Sequence, residues 1–121
     1  MLTRCSPREL AEVLLLRSEC IVQMAAVISD KYGIFSWGWN HPGPKSEGIH
    51  AEKHALMRAN RKRLKGAKLT IAGMRKKSKN KVLSRPCDDE EWSCLALACK
   101  AGIGIIEYHT KNGEWTKIVL F

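Results

Sequence analysis

The sequence predicts an α/β fold, a single mixed sheet of about five strands with helices on both faces and the last two strands an antiparallel hairpin. Three observations predict it. Strand-like apolar runs alternate with helix-like segments along the chain. A helix with a complete start signal opens at Ser6-Pro7-Arg8-Glu9. Near the C-terminus, Asn112-Gly113 separates two apolar runs, and Asn-Gly is the strongest short hairpin signal.

Each element follows in order. Residues 6–19 form a helix, with Ser6 as cap, Pro7 in the first helical position and Leu10, Val13 and Leu14 as an apolar stripe. Residues 21–29 and 34–40 form strands joined by the turn residues Asp30 to Gly33. Residues 41–48 carry two prolines and two glycines and are loop. A helix runs from about His50 to Leu64, with Ala51, Ala55, Leu56 and Ala59 able to face a core. Residues 67–74 are a third strand, which Val82 to Ser84 extend or repair before Pro86. Residues 94–101 are a helix closed by Gly102, and residues 103–109 and 114–121 are the final strands. No repeat or linker interrupts the order, so residues 1–121 are expected to form one domain.

Composition narrows the function. No apolar run is long enough to cross a bilayer and no signal-peptide block opens the chain, which predicts a cytoplasmic protein without a membrane partner. Five cysteines, an odd number, argue against a disulfide framework, and the clustering of Cys87, Cys94 and Cys99 favours metal. The formal net charge is +9. Most of it lies in two runs, Arg58 to Lys68 and Arg75 to Lys81. A phosphate-bearing partner is the functional reading, and a lysine-rich solvated surface the plain one.

The informative residues are His50-Ala51-Glu52, Pro86-Cys87 and Cys94. An H-x-E element followed by P-C and a second cysteine is the pattern of the zinc deaminases. Gly38-Trp39-Asn40, "HAEKHAL", "SRPC" and "CLALACKAGI" extend the match. From about Ile21 to Phe121 the chain resembles the cytidine deaminase superfamily. The resemblance implies zinc on His50, Cys87 and Cys94, with Glu52 off the metal as the proton shuttle. It assigns substrate binding to Asn40 and Ala51, Asn40 as the residue that hydrogen-bonds the ribose. One imidazole and two thiolates leave a catalytic zinc its fourth position for water.

The pattern is not matched throughout. The stretch DDEEWS separates the two cysteines, where the usual motif has two residues. Cys99 is the alternative ligand, but it lies about 140° around the helix from Cys94 and reads better as a buried thiol. His50 and Glu52 would point about 200° apart on an ideal helix, so they converge only at its very start.

Other readings compete. His54, on the same helix face as His50, could close a Cys₂His₂ structural site, making a non-catalytic zinc-stabilised module. Asn40 could be a turn residue. Phe35, Trp37 and Trp39 alternate along one strand face and read as sheet core before base-stacking residues. Asp88 to Glu91 precede a helix and complement its dipole.

The short turn between the last two strands makes them antiparallel. That resembles the cytidine and blasticidin deaminases, and also some toxin deaminases that act on nucleic acid. The expected activity is hydrolytic deamination of cytosine to uracil in a small cytidine or deoxycytidine nucleoside or nucleotide. Cytosine or adenine in single-stranded DNA or RNA is the alternative substrate, opposed by the acidic stretch between the cysteines. The chain stops at the last strand, without a helix to roof the pocket, and family practice then implies a homo-oligomer.

Overall fold

The structure, a computed structural model, describes residues 6–42, 48–88 and 93–120. Helix α1 (Pro7–Leu14) starts with the expected capping box: the Ser6 hydroxyl accepts the Glu9 N–H and the Glu9 carboxylate accepts the Ser6 N–H. These bonds satisfy donors that a bare helix end leaves open. The helix tightens into a 3-10 turn, Leu15–Arg17, and ends at an extended Ser18, short of residue 19. Val13, expected in the apolar stripe, is 59% exposed. Leu14 is buried and Leu10 partly so, as expected, and Ala11 and Leu15 complete the buried face. Val13 lies about 100° from Leu14, on the side away from Ala11.

One helix was expected from His50 to Leu64, and two are present, α2 (Ala51–Arg58) and α3 (Arg61–Leu64). Ala59 and Asn60 between them are extended, and the Asn60 side chain accepts the Lys62 N–H. Asparagine is a favoured N-cap, so it restarts the helix inside the run. Helix α4 (Cys94–Ala101) ends as predicted at Gly102, which takes the left-handed conformation (φ 89°) that glycine adopts freely. Among the described residues no helix is long and apolar enough to cross a membrane.

The strands are β1 (Val22–Asp30), β2 (Gly33–Trp39), β3 (Lys68–Arg75), β4 (Ile105–His109) and β5 (Trp115–Val119). They form one sheet in the order β2-β1-β3-β4-β5. β3 and β4 are parallel, and every other pair is antiparallel, the C-terminal hairpin included. The parallel pair needs a crossover, and α4 lies within it. Strand β1 is buried on both faces. Ala26 and Ile28 join Leu69, Ile71 and Ile106 beneath α2, α3 and α4, while Ala25 and Val27 meet α1 through Ala11, Leu14 and Leu15. Each fully buried isoleucine of that core contributes about 1.5–3 kcal/mol.

A bulge interrupts β2. Ile28 opposes Ser36 but Ser29 opposes Ile34, which leaves Phe35 as the extra residue. The alternation expected of Phe35, Trp37 and Trp39 is therefore broken. Phe35 packs toward the α2 side and Trp39 toward the α1 side, while Trp37 is 38% exposed.

Residues 81–84 run into the gap where β3 and β4 diverge, close to the expected strand repair. Val82 N–H donates to Gly73 O (3.2 Å) and Ser84 N–H to His109 O (3.0 Å). The Ser84 hydroxyl donates to Ile71 O (2.8 Å) and accepts the His109 N–H (2.7 Å). Ser84 thus stitches both strands together and delivers the chain to Pro86 and Cys87.

Candidate active site

His50 is the N-cap of α2, with extended backbone (φ −71°, ψ 148°). Helical geometry begins only after it, so His50 and Glu52 escape the separation of an ideal helix and line the same pocket. Cys94 opens α4. Its N–H donates to Cys87 Sγ (3.2 Å), and the Leu95 N–H donates to Cys87 O (3.0 Å). The first turn of α4 therefore holds Cys87 from both its sulfur and its carbonyl.

His50 Nδ1 is 3.3 Å from Cys94 Sγ and 3.8 Å from Cys87 Sγ, and the three donor atoms lie within 4.8 Å of one another. Tetrahedral zinc with ordinary Zn–N and Zn–S bonds sets neighbouring donors roughly 3.5–3.8 Å apart. The observed spacing and the nitrogen–sulfur donor set both fit zinc, with a fourth position free. No other such group of His, Cys, Asp and Glu side chains occurs among the described residues.

His54 is not part of it. Its Nδ1 accepts the Trp39 N–H (3.2 Å) and faces His41 Nε2 (3.3 Å). The closed Cys₂His₂ arrangement is not assembled. Cys99, expected as a buried thiol, is exposed, because α4 turns Cys94 and Ala98 inward instead.

A pocket of about 320 Å³ opens beside the triad. Glu52, Ala51 and Ser84 line it and are buried, at 6%, 0% and 1% exposure. Asn40 lines it too, but its amide is largely engaged. Oδ1 accepts from the Met24 N–H (2.9 Å) and the Ser18 hydroxyl, and Nδ2 donates to Val22 O (2.8 Å). A carboxamide carries two N–H donors, so one remains for a substrate.

Burial pushes the Glu52 carboxyl above its usual range, against its own backbone N–H, the Cys94 thiol and the His50 charge. Burial also raises the Cys94 thiol, helped by the neighbouring charges of Glu52 and Cys87. A coordinated dication reverses the second effect, since it deprotonates a thiol outright.

Sequence reasoning missed Val22, Met24, Ser84 and Arg85 in the pocket wall, and His109 behind it. Arg85 lines the pocket, and its only signal was its place just before Pro86-Cys87. His109 gave no signal, yet it is fully buried, stacks on Trp115 at 4.1 Å between ring centroids, and faces the Gly73 N–H. Of the acidic stretch, Asp88 pairs with Arg85 at 3.3 Å, and residues 89–91 lie outside the described residues.

The same architecture recurs in solved structures. A cytidine deaminase from Burkholderia pseudomallei superposes with a TM-score of 0.71 at 16% identity, covering 94% of this chain and 90% of that one. The chain has the cytidine deaminase fold. Within it, a dCMP deaminase from the cyanophage S-TIM5 gives a TM-score of 0.63 at 20% identity, over 86% of this chain and 79% of that one. RibD from Acinetobacter baumannii gives 0.53 at 21% identity, over 72% of this chain but only 21% of the larger protein. No family model matches the sequence, and no curated protein matches it. Within this fold His50 and Glu52 lie at the start of α2, Cys94 opens α4, and Cys87 lies in the loop that leads to it.

Proposed function

We propose that the chain is a hydrolytic deaminase that converts cytosine to uracil in a cytidine or deoxycytidine nucleoside or nucleotide, with zinc on His50, Cys87 and Cys94. The observation that carries this reading is the Glu52 carboxyl, buried in the pocket beside the three donors. The likeness to solved cytidine and dCMP deaminases supports it.

The residues divide the chemistry. Zinc, when bound, supplies the Lewis acidity that makes water a nucleophile at neutral pH. Glu52 takes a proton from the attacking water and passes it to ring N3. The second proton of that water, left on the oxygen now bonded to C4, passes through Glu52 to the exocyclic amine as the C4–N bond breaks. Oxygen is gained at C4 and ammonia leaves, so water and cytosine balance against uracil and ammonia. Burial of Glu52 suits both halves of this cycle, because a raised pKa brings a carboxyl nearer to the pH at which it must give and take protons. The remaining Asn40 N–H and the Ala51 backbone orient the substrate.

The test is incubation of purified, zinc-loaded protein with cytidine, deoxycytidine, their monophosphates and a cytosine-containing oligonucleotide, scoring the uracil products. Uracil from the small compounds supports the reading. Uracil from none of them refutes it.

A further inference from the structure

We infer that Arg85 reads a phosphate on the substrate, so that the pocket takes a cytosine nucleotide in preference to a nucleoside. This rests on the deaminase reading above and deepens it.

Cytosine itself sets the direction. C4 and N1 stand opposite each other across the six-membered ring, so a base with C4 beside Glu52 sends its sugar toward the pocket mouth. Glu52, Ala51 and Ser84 form the buried floor, whereas the Arg85 side chain is 47% exposed. Among the described residues lining this pocket, Arg85 is the sole lysine or arginine.

Its root is fixed. Ser84 on one side is tied to Ile71 and His109, and Pro86 on the other is fully buried. The guanidinium therefore pivots from an anchored backbone. Its partner is Asp88, an exposed carboxylate three residues on, at 3.3 Å. Exposed pairs of this kind are weak. A guanidinium has five N–H donors in a fork that matches phosphate oxygens. Asp88 thus acts as a stand-in anion, replaced by the more highly charged phosphate when a nucleotide enters.

The surrounding charge agrees. Arg75, the last residue of β3, and Lys76, Lys77 and Lys79 in the segment that follows it are exposed. That segment is fastened beside the pocket wall, where the Lys76 N–H donates to Ile21 O (2.9 Å), next to the lining residue Val22. Their summed field favours approach of an anion to the mouth.

The experiment compares kcat/KM for CMP and dCMP with that for cytidine and deoxycytidine, in wild type, Arg85→Gln, Arg85→Lys and Asp88→Asn. Calorimetric titration of CMP and cytidine gives an independent readout, and zinc content with circular dichroism verifies each variant. Wild type should prefer nucleotides. Arg85→Gln should reduce that preference by about 10- to 100-fold, the worth of a charge-assisted hydrogen bond. Arg85→Lys should restore part of it, and Asp88→Asn should tighten CMP binding. Equal use of CMP and cytidine, or an Arg85→Gln loss shared equally by both, overturns this inference and leaves the deaminase reading standing. Turnover of oligonucleotides with none of mononucleotides overturns it in favour of a polynucleotide substrate. Uracil from no cytosine compound defeats the deaminase reading, and this inference falls with it.

Discussion

The backbone N–H of Cys94 donates to the sulfur of Cys87 across 3.2 Å, so one thiol is held by the first peptide of the helix that carries the other. The bond gives a partner to one of the N–H groups that a helix N-terminus leaves open.

Zinc binding should follow that geometry. Cys87→Ala and Cys94→Ala are each expected to lose zinc by elemental analysis, whereas Cys99→Ala retains it, since Cys99 lies exposed on the outer side of α4. Full zinc in the Cys94 variant would refute the ligand assignment.

Glu52 should be chemically essential and structurally dispensable. Glu52→Gln keeps the shape and the hydrogen-bonding capacity of the side chain but cannot carry the proton. The expected loss in deamination rate is the ~10²–10⁴-fold typical of a general acid–base group, with zinc content and melting temperature little changed. An active Glu52→Gln protein overturns the mechanism.

Gly38 should resist any side chain. A Cβ there would meet the Ala55 backbone nitrogen at 2.6 Å and His54 Cβ at 2.8 Å, both on α2. Gly38→Ala must push the helix that positions His50 and Glu52 away from the sheet. Overpacking of this kind costs about 1–3 kcal/mol. Denaturant melts should show it, with weakened zinc affinity alongside; an unchanged midpoint refutes the close approach.

Asp30 should confer acid-sensitive stability. Bidentate hydrogen bonding from Arg63, at 2.8 Å to each oxygen, holds the carboxyl at about 2, below its ordinary 3.8, with the Tyr32 N–H assisting. A carboxyl depressed in the folded state stabilises it above the unfolded pKa, and that contribution is lost as pH falls through the folded one. The advantage of wild type over Asp30→Asn should therefore be complete at neutral pH and shrink between 3.8 and about 2. Parallel urea melts across that range measure it, and a constant gap would exclude the pair as its source.

Much of this molecule was legible from sequence because its signals are local. Ser6, Pro7 and Glu9 meet within one helical turn, and Asn112-Gly113 closes the last hairpin by itself. The metal donors were legible for a different reason: zinc chemistry restricts the residue types, and His50 and Cys94 mark helix starts. What escaped depends on neighbours distant in sequence. Val13 and Cys99 are apolar in character, and only the docking of α1 and α4 decides that both face outward. Phe35 changes sides because of a bulge set by its pairing with β1. Asn40 looked available to a ribose, yet Val22, Met24 and Ser18 occupy most of its amide. Arg85 carries no motif of its own and becomes noticeable only once the pocket exists.

The bulge at Phe35 also governs what the outer border of the sheet offers to other chains. β2 is an outermost strand, with one row of peptide groups unpaired by the sheet. A straight row of that kind templates intermolecular pairing and, in time, fibrous aggregates. A bulge bends and overtwists the strand that carries it, so with the extra residue at Phe35 an approaching strand can match only a few consecutive peptides before losing step. The irregularity that scrambles the aromatic alternation thereby makes β2 a poor seed.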